Sequence, residues 1–286
     1  MTAKEIPATV RSERVIQYRR IGRRDGTERA RIPATRLEVV DDADLKRTTW
    51  RSIVAFQRLF GHHGPDARLL EHPDFVATAV PASNSSLINA AAPVDDASLA
   101  AHLDEIAAFY ADIPKWGVWI DPAATADADA LTTKGLVLDS TPVLMAATLD
   151  AVERRADTTV ERVTMDELGA VNDAAYGIPP GTLATALAGF PPAEVRSYGI
   201  RDGSDVASGA VLYDVGDDAF VTFVATLPDH RGKQLASTTL SHALHEAEQR
   251  GQRTTSLQAS KLGQSIYARL GYHRLGEIHL YEKRPT

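Results

Sequence analysis

The chain has 286 residues, a formal net charge of −7 at pH 7 and a hydrophobic fraction of 44%. This length predicts one large or two ordinary domains, and the negative charge argues against a general nucleic-acid binder. The absence of cysteine excludes disulfides, thiolate metal sites and a covalent acyl-cysteine mechanism. No apolar run approaches the ~20 residues that span a bilayer, and the N-terminus lacks the apolar core of a signal peptide, so we expect a cytoplasmic protein without membrane contacts.

Residues 1–36 differ from the rest of the chain in charge. They contain ten basic residues against four acidic ones, a balance of +6 that leaves −13 for the remaining residues. We predict a basic N-terminal extension that lies along the acidic body of the protein or is partly disordered. A role in homo-oligomer formation is the alternative, because a basic arm can bind an acidic surface of a partner.

Residues 37–155 are predicted to form an α/β domain. Leu99, Leu103 and Ile106 recur at spacings of four and three, which is typical of an amphipathic helix. Trp116 and Trp119 are three residues apart in a predicted strand, so their side chains should face opposite sides of the sheet. The predicted helices span 44–60, 97–111 and 127–134, and the predicted strands span 75–80, 116–120, 136–137 and 144–149.

His62 and His63, with His72 nearby, form the one histidine cluster that the sequence indicates. Metal binding would need further ligands in suitable geometry. The neighbouring Gly61 and Gly64 favour an exposed loop. We therefore predict no metal site.

A polar, charged stretch at 150–158 is the predicted boundary between the domain at 37–155 and a second domain at 156–286. Thr164 is a candidate N-cap for a helix at 166–176. Further elements are predicted at 160–163 (strand), 182–188 (helix), and 198–200, 206–213 and 219–226 (strands).

The stretch at 220–236 predicts a strand, a basic turn and the start of a helix. Pro228 cannot donate to a sheet ladder, so the strand should end just before it. Asp229 is the predicted N-cap of a helix that runs to about Arg250 and ends at Gly251.

The turn itself has the chemistry of an anion site. Arg231 and Lys233 flank Gly232, which lets a ligand approach the backbone. A helix N-terminus offers amides without intrahelical partners and partial positive charge. This turn is therefore suited to a pyrophosphate.

Two motifs in this half resemble the GNAT superfamily of N-acetyltransferases. The first, Arg231-Gly232-Lys233-Gln234-Leu235-Ala236, is similar to the family's acetyl-CoA signature, Gln/Arg-x-x-Gly-x-Gly/Ala, and has Gln234 where the family usually has Gly. The second comprises Leu257-Gln258-Ala259-Ser260 and Ser265-Ile266-Tyr267-Ala268-Arg269-Leu270-Gly271-Tyr272. The resemblance covers roughly 158–286 and implies a GNAT fold, a mixed and mostly antiparallel sheet flanked by helices. The segment at 37–155 resembles the degenerate GNAT-like half of two-domain members.

The resemblance also implies a site. Tyr267 matches the tyrosine that protonates the leaving sulfur in the family; the alternative is an aromatic packing residue. The two helices near Tyr176, Ile178, Pro179 and Phe190 shape the acceptor site in the family. Acetyl-CoA would be held by the strand backbone at Val224, Ala225 and Thr226, by the turn and helix start at Arg231, Gly232, Lys233, Gln234, Leu235, Ala236 and Ser237, and by Ser260.

Asp214 and Glu282 are candidates for the general base, although a solvated surface carboxylate is the more common role for each. The resemblance implies an acetyl-CoA-dependent N-acetyltransferase that transfers acetyl directly to a primary amine of a small molecule in a ternary complex. A protein or peptide N-acetyltransferase is the alternative among enzymes, and a non-catalytic CoA-binding interaction protein is the alternative outside them.

Overall fold

Two mixed β-sheets and the helices around them make up residues 40–285, the part of the chain that this computed structural model describes. The basic extension predicted at 1–36 lies outside the described residues. Among the helices at 40–285, none has the length and apolar character that crossing a membrane requires. In chain order the elements are α1 (Asp42–His63), β1 (Arg68–Glu71), β2 (Phe75–Ala79), β3 (Ala90–Pro93), α2 (Leu103–Phe109), β4 (Trp116–Ile120), α3 (Thr125–Thr133), β5 (Val137–Ser140), β6 (Val143–Thr148), β7 (Val160–Arg162), α4 (Met165–Tyr176), α5 (Thr182–Leu187), β8 (Val195–Asp202), β9 (Asp205–Val215), β10 (Asp218–Thr226), α6 (Leu235–Gln249), β11 (Thr254–Ala259), α7 (Gln264–Leu270), β12 (His273–Glu277) and β13 (His279–Lys283).

The helix ends show how local sequence sets these bounds. Thr164 caps α4 as predicted, in a reciprocal capping box with Glu167. Gly177 then ends α4 in the left-handed conformation. The helix predicted at 97–111 is shorter than expected, because a 3-10 turn at Ala100–His102 precedes α2.

The strands form a six-stranded sheet in the order β1-β2-β3-β4-β13-β5 and a seven-stranded sheet in the order β12-β6-β11-β10-β9-β8-β7. Pairing is antiparallel except between β3 and β4 and between β10 and β11. In each sheet the parallel pair lies beside a strand that is distant in sequence. This strand is β13 beside β4 in one sheet and β6 beside β11 in the other. The mixed, mostly antiparallel α/β architecture confirms the predicted fold class.

The two halves of the chain exchange strands. β6 precedes the predicted boundary at 155/156 yet lies between β11 and β12, and β13 from the C-terminal half lies between β4 and β5. The two crossing segments touch, since the amide of Ile278 donates to the carbonyl of Pro142 at 3.0 Å. The predicted boundary therefore does not coincide with the division between the sheets, because each sheet is completed by the other half.

An aromatic cluster around α1 joins the two halves. The ring of Phe56 lies 5.9 Å from Phe190, 5.7 Å from Phe220 and 5.8 Å from Phe223, measured between centroids. Trp119 belongs to the same core, whereas Trp116 packs in a separate core beneath α2. The two tryptophans therefore face opposite sides of their sheet, as predicted.

Candidate active site

The parallel strands β10 and β11 pair only at one end. Their register runs from Asp218 opposite Thr254 to Val221 opposite Leu257, and no pairing continues beyond that point. β10 extends to Thr226, and the rest of β11 pairs with β6 alone. The two strands therefore separate, which leaves an open edge along the second half of β10.

A β-bulge lies at the start of this open edge. The register of β10 against β9 shifts between Thr222 and Ala225, and Phe223 has a positive φ of 48°. A left-handed conformation is unusual for a bulky residue and costs about 1–3 kcal/mol. Asn172 Nδ2 donates to the carbonyl of Phe223 at 3.2 Å, so α4 helps to hold the bulge.

The predicted turn follows the open edge, with a later helix start than expected. A 3-10 turn spans Pro228–His230, and α6 begins only at Leu235. The prediction of Asp229 as the N-cap is wrong, because Asp229 lies within the 3-10 turn and Gln234 occupies the N-cap position without a side-chain hydrogen bond. No side chain within residues 40–285 caps this helix, so its first amides face outward at the turn.

Gln234 occupies a backbone conformation that favours glycine. Its φ of 61° and ψ of 13° are left-handed. The substitution at this position of the motif therefore preserves the backbone path of the turn at the cost of some strain. Its amide stays in the chain, so the turn can still present backbone donors to an anion.

Arg231 has a structural role in addition to its charge. Its Nη2 donates to the carbonyl of Ala175 at 2.8 Å, and its Nε donates to the carbonyl of Thr226 at 3.3 Å. These bonds fix the end of α4 to the end of β10. The side chains of Arg231 and Lys233 remain exposed beside the α6 N-terminus.

Tyr267 on α7 is 8% exposed. Burial raises the pKa of its phenol well above the ordinary value, and the nearby Tyr176 raises this pKa further. The phenol is therefore protonated at neutral pH and can donate a proton, but it is a poor base. Ser260 is exposed, and its Oγ accepts from the amide of Gly263 at 3.2 Å.

A cavity of about 750 Å³ lies between the two sheets and reaches the bulge. Among the residues predicted to bind the cofactor or to protonate the sulfur, three line it: Val224, Ser260 and Tyr267. The other predicted cofactor residues do not line it, and the turn and helix start at 231–237 lie apart from its wall. The cofactor assignments remain predictions.

The predicted acceptor region contributes to the cavity in part. Tyr176, Ile178 and Pro179 line it, and the hydroxyl of Tyr176 donates to the carbonyl of Val224 at 3.0 Å. Phe190 does not line the cavity, because its ring is buried in the core against Phe60 at a centroid distance of 5.0 Å.

The first half and the exchanged strand β13 supply cavity residues that the sequence motifs do not indicate. Trp119, Lys115 and Glu282 belong to this group. Ser86 Oγ donates to Glu282 at 2.6 Å, Lys115 Nζ lies 3.0 Å from the same carboxylate, and Arg284 Nε donates to it at 2.8 Å. No local pattern marks Glu282, because its place in the cavity depends on the exchange of strands.

The two candidate bases have different surroundings. Burial acts to raise the pKa of Glu282, but the hydrogen bonds from Ser86, Arg284 and Lys115 outweigh burial and lower it below the ordinary value. Glu282 is therefore ionised and a weak base. Asp214 does not line the cavity, and its carboxylate binds Arg196 at 2.9 Å and Arg250 at 2.7 Å.

The histidines at 62 and 63 are the last two residues of α1 rather than part of an exposed loop. His72 lies instead beside His102, with ring centroids 4.5 Å apart, and Glu105 approaches both. His72 Nδ1 accepts from the amide of Asp74 at 3.1 Å, which uses one ring nitrogen within the β1–β2 turn.

A family model and several solved structures are similar to this chain. Residues 217–275 match the family model described as an acetyltransferase (GNAT) domain. No curated protein matches the chain in a sequence search. The matched stretch is similar to this family and contains the separated strands, the bulge and the turn.

Solved structures extend the similarity in fold to most of the chain. A GCN5-related N-acetyltransferase from Kribbella flavida is 18% identical, with a TM-score of 0.62 over 82% of this chain and 95% of that one. A GCN5-related N-acetyltransferase from Sphaerobacter thermophilus is 18% identical, with a TM-score of 0.52 over 85% and 93%. A conserved protein of unknown function from Staphylococcus epidermidis is 11% identical, with a TM-score of 0.54 over 76% and 93%. At these identities the comparison shows the GNAT fold.

Proposed function

We propose that the protein is an acetyl-CoA-dependent N-acetyltransferase that transfers acetyl directly to a primary amine of a small molecule. The observation that carries this proposal is the open edge of β10, which leads from the cavity at Val224 to the uncapped N-terminus of α6. This path offers backbone pairing for an extended arm and amides for an anion at its end.

The residues fit acetyl-CoA at both ends of this path. The backbone of residues 224–226 would pair with the amide-containing arm, as a strand pairs with an added strand. The amides at the start of α6, with Arg231 and Lys233 beside them, would hold the pyrophosphate. When bound, acetyl-CoA supplies an acyl thioester that an amine can attack.

We assign the last step of the transfer to Tyr267. As the amine nitrogen bonds to the acyl carbon, the carbon–sulfur bond breaks and the sulfur leaves with its electron pair. Tyr267 Oη donates a proton to that sulfur, and burial raises the pKa of this phenol, so its proton is in place at neutral pH. The proton that the amine nitrogen loses as the amide forms passes through solvent to the phenolate, which restores Tyr267. No acyl group is carried by the protein, which fits the absence of cysteine.

The cavity supports a small acceptor. Its volume of about 750 Å³ lies within the ~300–1,000 Å³ range typical of sites for small ligands. Phe56, Phe60, Trp119 and Phe220 line it and would exclude water from the reacting groups. We expect an amine with a largely apolar body.

The proposal is tested by calorimetric titration with acetyl-CoA and by thiol release in a panel of small amines. We expect binding with a Kd in the micromolar range, on the order of −8 kcal/mol, and thiol release with at least one amine. Binding without release from any small amine or peptide would favour a non-catalytic CoA-binding protein, and release from peptides alone would favour a peptide N-acetyltransferase. A protein that neither binds acetyl-CoA nor releases thiol would contradict the proposal.

A further inference from the structure

Two backbone carbonyls on the second half of β10 point to its open edge. The amide of Leu227 donates to a backbone carbonyl of β9 at 2.9 Å, and the carbonyl of Ala225 accepts from a serine of β9 at 3.1 Å. Successive carbonyls of a strand alternate between its two edges, so Val224 and Thr226 direct theirs away from β9. These are the carbonyls that an arm added to the open edge would use.

Side chains of the protein itself occupy both of these carbonyls. Tyr176 Oη donates to the carbonyl of Val224 at 3.0 Å, and Arg231 Nε donates to the carbonyl of Thr226 at 3.3 Å. Tyr176 is the last residue of α4 and is 61% exposed, and it lines the same cavity as Tyr267. Burial raises the pKa of Tyr267 and the nearby Tyr176 raises it further, which agrees with two phenols that face the same space.

The Tyr176 hydroxyl lies where an arm paired with β10 would place its own donor. An added strand brings an N–H group to within about 3 Å of an outward carbonyl. Tyr176 Oη is already 3.0 Å from the carbonyl of Val224, so this hydroxyl must leave before the arm can pair there. Few contacts oppose that movement, because most of the Tyr176 side chain is exposed to solvent.

We propose that the hydroxyl of Tyr176 competes with the cofactor: it closes the open edge of β10 in the free protein and rotates away when acetyl-CoA binds. This inference rests on the proposed function. Because the free protein alone makes this hydrogen bond, breaking it weakens the observed affinity for the cofactor. CoA and acetyl-CoA share the amide-containing arm, so the hydroxyl weakens the binding of both ligands to the same extent.

The test removes the Tyr176 hydroxyl and keeps its ring. We expect Tyr176→Phe to bind CoA and acetyl-CoA about fivefold more tightly than the wild type in calorimetry, the equivalent of one competing hydrogen bond of ~1 kcal/mol. Stopped-flow measurements should show this gain in the association rate constant, because a larger fraction of the free protein is open. Tyr281→Phe, which makes the same change in β13 away from the cavity wall, is the control and should leave both dissociation constants unchanged.

The thermal midpoint of the free protein separates competition from a general gain in stability. Tyr176→Phe loses a hydrogen bond of the free protein, so its midpoint without ligand should equal that of the wild type or fall slightly below it. Unchanged or weaker binding of both ligands by Tyr176→Phe, or an equal gain in affinity in Tyr281→Phe, would overturn the inference and leave the proposed function intact. Failure of both the wild type and Tyr176→Phe to bind acetyl-CoA would overturn both.

Discussion

Tyr267 is buried and lines the cavity, and its hydroxyl oxygen is the proposed proton donor. Removing this one atom therefore tests the proposed proton transfer. Tyr267→Phe should lower kcat by about 10²-fold or more, because the leaving sulfur loses its proton donor. The Kd for CoA should stay within about twofold of the wild type, since the ring is retained. Tyr213→Phe, which makes the same change outside the cavity, is the matched control. An unchanged kcat would assign Tyr267 to packing.

The ionisation of Tyr267 also predicts how kcat depends on pH. Because burial raises its pKa, the acid form of Tyr267 is present below the raised pKa and is lost only above it. We expect no descending limb from this group up to pH ~10, the ordinary pKa of tyrosine. A fall in kcat with a midpoint near pH 8 that disappears in Tyr267→Phe would contradict this assignment.

Gln234 allows a second test at one residue, because its left-handed backbone carries strain that glycine would relieve. Gln234→Gly should stabilise the protein by about 1 kcal/mol in denaturant unfolding. Gln249→Gly, at a right-handed position of the same helix, should instead destabilise the protein in denaturant unfolding. Equal effects of the two changes would show that the turn is not strained.

At the scale of elements, the N-terminal half has a buried carboxylate beside the turn that follows its own parallel strand. The parallel pair β3–β4 corresponds to β10–β11, and the 3-10 turn before α2 follows β3 as α6 follows β10. Asp127 Oδ1 accepts from the amides of Leu99 and Ala100 at 3.0 and 2.9 Å and from Ser98 Oγ at 2.6 Å. Asp127 is 2% exposed, and its carboxylate accepts from amides that would otherwise be free to bind an anion.

The hydrogen bonds of Asp127 predict how many acetyl-CoA molecules one chain binds. We expect one acetyl-CoA per chain in calorimetric titration, bound in the C-terminal half. Two equivalent sites would contradict the view that Asp127 closes the other half. Gln234→Gly should leave the stoichiometry at one.

Asp127 should also be important for stability. Asp127→Ala removes three hydrogen bonds to a charged group and leaves two backbone donors unpaired, which should cost at least ~2 kcal/mol in denaturant unfolding. Asp127→Asn retains an accepting oxygen and should cost less. Asp129→Ala, an exposed change on the same helix, should be nearly neutral. A neutral Asp127→Ala would show that the cap is dispensable.

The sequence predicts most elements here, for reasons that differ between them. Thr164 caps α4 because the capping box is local, and the strand at β10 is visible from its β-branched and aromatic residues. Asp229 has the right chemistry for an N-cap, but a 3-10 turn and a left-handed residue intervene before α6 begins. The preference of an amino acid for the N-cap position shows which residues can cap a helix, but it does not determine where the helix begins.

At the scale of the whole molecule, the exchange of strands explains what the sequence does not predict about the site. Ser86 and Glu282 are hydrogen-bonded although 196 positions separate them. No periodicity or motif reports such a contact, because it depends on which sheet receives β13. The cofactor motif is local and therefore recognisable, whereas the cavity wall is assembled from both halves.

The exchange also predicts how the chain behaves when it is divided. Residues 156–286 lack β6, an inner strand of their sheet, and residues 40–155 lack β13, an inner strand of the other. We expect each fragment alone to be insoluble or to unfold without a cooperative transition. Co-expression should give a soluble complex that co-purifies. Cooperative thermal unfolding of 156–286 alone would show that the predicted boundary marks an independent domain.

The position of β13 also determines when the six-stranded sheet is completed during translation. Its register places Leu280 opposite Trp119 and Lys283 opposite Trp116, so β4 gains this neighbour only after more than a hundred further residues have been translated. Until then β4 and β5 expose unpaired edges, which are sites for misassembly and for chaperone capture. The half of the protein that leaves the ribosome first is therefore the half that is completed last.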